Sequence, residues 1–258
     1  FGVNQRKKLS DKGGKDCDVL VMSATPIPRT MMMTIYGDMD ISLIKTKPKN
    51  RQPIKTYSKN ESKINEVINF VKSEIDKKNQ VFWVCPLINE SKIMDQQSAT
   101  EKYKYLSKIF KDKVDVVHGK MSKEEKDKVL NKFNDRRIDI LVSTTVIEVG
   151  IDFPNANVII IENSNKYGLS QLHQLRGRVG RGNKESTCIL MFKAGLSENA
   201  RKRITILKNT NDGFKIAEED LKIRGYGDIL GFKQSGLKKY NLADPIQHEE
   251  LFNIAEKE

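Results

Sequence analysis

Three arginines crowd into six residues near position 180: Arg176, Arg178 and Arg181, in the run L-H-Q-L-R-G-R-V-G-R-G. A guanidinium keeps its proton and presents a planar fork of donors that matches a phosphate bidentately. Gly177, Gly180 and Gly182 lie between and beside the forks, and a residue without Cβ lets backbone and ligand approach closely. The spacing therefore suits a polyphosphate; the bland alternative is a solvated basic turn. A second stretch, L-V-S-T-T-V-I-E-V-G-I-D-F-P-N-A over 141–156, places small hydroxyl residues directly after an apolar run.

Composition sets the partners that such groups would meet. Lys+Arg (46) exceed Asp+Glu (34) among 258 residues, a formal charge of +12. An excess of that size favours a polyanion, with nucleic acid ahead of an anionic membrane surface. Lysine filling solvent positions accounts for the charge equally well. Cys17, Cys85 and Cys188 are an odd number, far apart, with no C-x-x-C pair, and His118, His173 and His248 are scattered. Neither a disulfide framework nor a metal centre is expected. No apolar run approaches the ~18 residues of a membrane helix and no signal peptide opens the chain, so a cytoplasmic protein is expected. A first residue of Phe1 instead of Met reads as a fragment.

The elements that must position these residues follow an alternating pattern. Continuous apolar runs at 19–22, 81–84, 114–117, 138–142, 158–161 and 187–192 read as strands buried on both faces. Ile64, Val67, Ile68, Val71 and Ile75 mark one face of a helix, and Ala99, Tyr103, Leu106 and Phe110 stripe another. Ser122 with Glu125 three residues on predicts a capping box opening a third, whose buried side is Val129, Leu130 and Phe133. A helix over 169–175 precedes the last strand. Strands alternating with amphipathic helices predict an α/β fold, a parallel sheet with helices on both faces. Lys- and Pro-rich 45–53 reads as a linker, and 31–36 as a short helix. Beyond 193 the rhythm changes to a helical hairpin (197–209, 214–223), then R-G-Y-G-D-I-L-G-F-K-Q-S-G, whose glycines forbid long regular structure, and a last helix near Pro245.

In a parallel sheet, ligands gather at the carboxyl ends of the strands. Ser23-Ala24-Thr25, His118-Gly119, Ser143-Thr144-Thr145 and the segment from Gln174 to Arg181 are all expected on that one rim.

These residues carry a resemblance. S-A-T at 23–25, T-x-x-x-x-G-x-D at 145–152 and Q-x-x-G-R-x-G-R at 174–181 resemble motifs III, V and VI of superfamily 2 helicases, in the family's order. More narrowly, F-G-V-N-Q-R at the start, S-A-T-P-I-P-R-T, V-C-P-L-I-N-E-S and the glycine-rich 224–236 segment resemble the RecG family of bacterial ATP-dependent helicases that remodel branched DNA. The transcription-repair coupling factor shares the arginine stretch and the glycine loop and stays an alternative, as does a stand-alone nucleic-acid-binding module.

The resemblance implies a RecA-like fold in three parts: 1–47, the end of a first RecA-like domain; 48–192, a second such domain; and 193–258, a helical extension with a translocation-type loop. It implies ATP and Mg²⁺ as cofactors, DNA as partner (branched or forked duplex), further contacts with upstream RecA-like and wedge domains, and no membrane. Arg178 and Arg181 would be arginine fingers; Gln174, Gly150 and Asp152 would face the nucleotide, although a loop-capping role also suits Asp152. Thr144, Thr145, His118 and Gly119 would hold the DNA backbone, the last two with backbone N–H groups at a helix N-terminus, where a purely structural histidine is the alternative. Ser23, Ala24, Thr25 and Arg29, with Arg224, Gly225 and Gln234, would couple nucleotide state to translocation, against a packing loop for the latter three. Arg176 would serve a domain interface. No G-x-x-x-x-G-K-[ST] and no paired acidic Mg²⁺ box occur in the sequence. In the family both lie on the first domain, and the chain by itself is expected to be inactive as an ATPase.

Overall fold

A computed structural model describes residues 51–86, 92–144 and 153–224, together with Lys12, Leu20, Met22, 42–44 and Thr46. Six parallel strands form one sheet: β1 (Ile54–Asn60), β2 (Gln80–Val84), β3 (Val114–Val117), β4 (Ile140–Ser143), β5 (Ala156–Ile161) and β6 (Ser186–Phe192), in the order β1-β6-β5-β2-β4-β3. The helices are α1 (Ile64–Asp76), α2 (Lys92–Phe110), α3 (Lys123–Asn134), α4 (Leu169–Arg176), α5 (Glu198–Asn209) and α6 (Gly213–Arg224).

The chain crosses the sheet outward from β1 through β2 to β3 and returns through β4, β5 and β6. Right-handed crossovers then send outgoing and returning helices to opposite faces. Val67, Val71 and Ile75 of α1 and Leu106 of α2 pack with Trp83 and Val142 on one face. Phe133 of α3, Leu172 of α4 and Leu207 of α5 pack with Phe82, Leu141 and Cys188 on the other. The alternating residues of β2 thus serve two cores, which is why its sequence is an unbroken apolar run. Ser122 forms the expected capping box with Glu125: each backbone N–H is accepted by the other's side chain, at 2.8 and 3.2 Å.

Two expectations need correction. Strand β1 lies in a stretch, 54–60, for which the sequence predicts no element. Its pattern I-K-T-Y-S-K-N buries Ile54 alone, because β1 is an edge strand beside β6, with its side chains largely in solvent. Conversely, Leu20 and Met22, expected in a buried strand, belong to no strand and are 81% and 84% exposed. The helices expected at 31–36 and near Pro245, and the loop 225–236, lie outside the described residues.

Candidate nucleotide and nucleic-acid edges

Because all six strands are parallel, the sheet has two chemically distinct edges, and the candidate residues divide between them. Helix α4 begins beyond the carboxyl end of β5 and runs back across the sheet. Its eight residues span ~12 Å, so the arginine loop that follows emerges at the amino edge. Gly180 shows this directly: a Cβ there would lie 3.1 Å from Ile54 and 3.5 Å from Ser186, the first residues of β1 and β6. The expectation that the 174–181 segment shares one rim with His118 and Thr144 is therefore wrong.

The glycines also act differently from expectation. Gly180 has φ +74°, a left-handed conformation costly for any residue with a Cβ, and it packs on its own chain. A Cβ at Gly182 would stand 2.9 Å from the carbonyl oxygen of Pro154. These two glycines press the loop onto the sheet and onto the turn that follows Asp152. Phe153, next in that turn, is buried in an aromatic trio with Phe82 and Phe133, with ring centroids 5.2–5.7 Å apart. Such pairs add ~0.5–1.5 kcal/mol each beyond area burial. The arginine loop is thus fixed against the turn at Phe153 and Pro154.

Of the three arginines, Arg176 turns inward. It is 2% exposed and donates from Nη1 to the carbonyl oxygens of Leu207 (2.6 Å) and Thr210 (2.9 Å), with Thr56 Oγ1 at 3.4 Å and His173 Nδ1 3.2 Å from Nη2. It holds the carbonyl end of α5, and so joins the second domain to the helical extension, instead of facing a ligand. Arg178 is half-buried and Arg181 exposed. Burial, followed by repulsion from Arg181, lowers the proton affinity of Arg178. Two guanidiniums within each other's field favour an anion beside them. Gln174 is exposed on the last turn of α4.

Behind this loop lies a polar network with no signature in the sequence. Asn157, fully buried on β5, donates to Asn79 Oδ1 (3.1 Å) and accepts from Ser186 Oγ (3.3 Å). Asn79 donates to Glu74 (2.7 Å), and Lys184, three residues past Arg181, reaches Asn79 Oδ1 (3.4 Å). Isolated asparagines carry no periodicity, so only the fold reveals that they meet.

At the carboxyl edge, His118 follows β3 and Thr144 follows β4, and the pairing of Val117 with Ser143 makes them neighbours. Thr144 is 1% exposed, so its side chain faces the protein. His118 Nδ1 is buried without a hydrogen-bond partner. Burial first, then Lys126 and Lys120 against an opposing Glu125, lowers the His118 pKa, which keeps the ring neutral. Gly119 forms a turn and its carbonyl oxygen accepts from Lys126 at 3.4 Å. Neither residue sits on the helix terminus assumed for it: α3 starts at Lys123, and Ser122 and Glu125 already occupy that terminus. Anion contacts here would come from Lys120, Lys126 and the turn.

In the extension, Ser170 Oγ donates to Asp220 (2.6 Å), tying α4 to α6. Arg224 closes α6. Ser23, Ala24, Thr25, Arg29, Thr145, Gly150, Asp152, Gly225 and Gln234 lie outside the described residues. Among the described residues no cluster of three metal-ligating side chains occurs, and no helix is long and apolar enough to cross a membrane. Burial raises both Cys85 and Cys188, the latter to about 12, which leaves them as unreactive core thiols.

The sheet order, the two-faced core and the paired loops define a RecA-like C-terminal helicase domain, and residues 62–183 match the family "Helicase conserved C-terminal domain". Residues 210–256 match "ATP-dependent DNA helicase RecG, domain 3, C-terminal". Over 260 residues the chain is 46% identical to the ATP-dependent DNA helicase RecG of Bacillus subtilis, covering 100% of this chain and 38% of that one. It is 48% identical to that of Thermotoga maritima, covering 100% of this chain and 33% of the relative. A solved structure of RecG bound to a three-way DNA junction superposes with a TM-score of 0.72 at 48% identity, over 93% of this chain and 31% of that one. A Saccharomyces cerevisiae Dbp5 structure, at 17% identity and a TM-score of 0.53 over 85% of this chain and 57% of that one, shares the fold alone. The chain is similar over its whole length to RecG helicases and spans well under half the length of the relatives it matches.

Proposed function

We propose that this chain is the C-terminal portion of a cytoplasmic ATP-dependent DNA helicase that remodels branched DNA, with ATP and Mg²⁺ as cofactors. The observation that carries the reading is the division of the sheet into two edges in a chain that aligns over its whole length with RecG helicases. One edge presents guanidiniums, and the other presents the His118 ring with Lys120 and Lys126.

Arg178 and Arg181 fit a polyphosphate held by a neighbouring RecA-like domain, because the planar fork of a guanidinium matches phosphate oxygens and both lie on one loop. In this reading they approach from across a cleft and stabilise the charge that builds on the transferred phosphoryl group. Gln174, Gly150 and Asp152 contact the nucleotide; Mg²⁺ ligands and the phosphate cradle come from the neighbouring domain. Thr144, Thr145, His118 and Gly119, with Lys120 and Lys126, line the DNA-backbone edge, where contacts position a strand without reading its sequence. Ser23, Ala24, Thr25, Arg29, Arg224, Gly225 and Gln234 couple the two.

The chain alone is then not an ATPase. The test is ATP hydrolysis by the chain alone and joined to an upstream RecA-like and wedge segment, each with forked and linear DNA. Turnover only in the joined form, greater with forked DNA, is expected. DNA-stimulated turnover by the chain alone would overturn the reading.

A further inference from the structure

We propose that Asn79 and Asn157, which lie outside every helicase-like motif in the sequence, are positioning residues for the arginine loop. The inference rests on the reading of Arg178 and Arg181 given above. Three segments converge on this pair at the amino edge. The loop after Arg181 reaches it through Lys184 Nζ and Ser186 Oγ, at 3.4 Å to Asn79 Oδ1 and 3.3 Å to Asn157 Oδ1. The turn after Asp152 reaches it through the carbonyl oxygen of Asn155, which accepts from Asn157 Nδ2 at 3.2 Å. The end of α1 reaches it through Glu74, which accepts from Asn79 (2.7 Å) and from Lys77 (2.7 Å).

Burial makes the arrangement informative. Asn157 and Ser186 are at most 1% exposed, and Asn79 is 8% exposed. Burying amides and a hydroxyl at the rim of an apolar sheet stabilises less than valine or leucine would, unless the hydrogen bonds fix a geometry. Here the bonds to Lys184, Ser186 and Asn155 end on segments flanking the nucleotide motifs, and Glu74 anchors the pair to α1. Neither Asn79 nor Asn157 touches a ligand. They act by holding the loop that bears Arg178 and Arg181 in register with the turn that follows Asp152. A catalytic cation displaced by ~1 Å loses about a hundredfold in rate.

The experiment uses the full-length helicase and measures kcat and KM for ATP, affinity for three-way-junction DNA and Tm. Three variants are compared: Asn157→Leu, which keeps side-chain volume; Lys184→Met, which cuts one peripheral tie; and Arg181→Lys as reference. The expected result is a ten- to hundredfold loss of kcat for Asn157→Leu, with KM for ATP and DNA affinity within about twofold of wild type. Lys184→Met is expected to lose about threefold in kcat with an unchanged Tm, and it decides the matter if Asn157→Leu does not fold. Full kcat in both variants while Arg181→Lys is inactive would overturn this inference and leave the function reading standing. A parallel fall of kcat, DNA affinity and Tm in Lys184→Met would also overturn it, marking the network as general scaffolding. Undiminished turnover in Arg181→Lys would instead remove the reading on which it rests.

Discussion

Replacing Arg176 with methionine should loosen the attachment of α5 to the sheet while leaving the rest of the core intact. The side chain is 2% exposed and bonds to two backbone carbonyls at the end of α5, at 2.6 and 2.9 Å. Bonds from a charged donor contribute ~1.5–3 kcal/mol each, and an acceptor left dry costs ~1–3 kcal/mol. Against this, methionine recovers the desolvation that burial imposes on the guanidinium, the first cause of its lowered proton affinity. The net loss comes to about 2–4 kcal/mol. At ~2–4 °C per kcal/mol for a domain of this size, Tm should fall by about 5–15 °C. Amide exchange should rise first around Leu207 and Thr210. Thermal denaturation and hydrogen exchange on the purified chain measure both. A Tm within ~2 °C of the parent, or exchange rising uniformly, would refute the assignment of Arg176 as the anchor of the extension.

Other outcomes follow from the same geometry. Gly180→Ala forces a Cβ into a left-handed residue beside Ile54; ~1–2 kcal/mol is lost from the backbone alone, read by urea denaturation, and ATP turnover of the full-length helicase falls with it. Ser122→Ala removes the capping box and should cost about 1 kcal/mol, with far-ultraviolet helicity largely kept. Bonding to Ser122 holds the Glu125 carboxyl below its ordinary value. Its contribution is therefore complete above about pH 4.3, where the unfolded glutamate is ionised, and fades as pH falls through the lower folded value. Glu125→Gln should flatten the acid limb of the stability curve without moving the alkaline limb. DNA binding by the chain should weaken linearly in log[salt], at a slope of about −0.9 per phosphate neutralised; a flat response would assign the +12 charge to solvation.

Much of the fold was legible because buried parallel strands and one-sided helices impose strong periodicities. Val81–Val84 and the 64–75 stripe are instances. Edge strand β1 was not legible, since Ile54 is its one buried side chain and I-K-T-Y-S-K-N resembles a polar loop. The site residues were readable as types; His118 and Thr144 fall at the carboxyl edge as expected, while the placement of 174–181 was misread. A helix following β5 returns across the sheet, so motif residues at its end face the opposite edge from those that directly follow a strand. That step needed helix length and direction as well as residue chemistry. The Asn79–Asn157–Ser186 network and the attachment of Arg176 to α5 were invisible for a simpler reason: partners 29 to 78 residues apart leave no local pattern.

The central claim is that the guanidinium edge serves ATP hydrolysis and the other edge serves DNA. Junction-stimulated ATP turnover by full-length Arg181→Lys, measured beside its affinity for the same three-way junction, tests it most directly. Turnover should fall by on the order of 10³ while junction affinity stays unchanged. Undiminished turnover, or a loss of DNA affinity in its place, would contradict it.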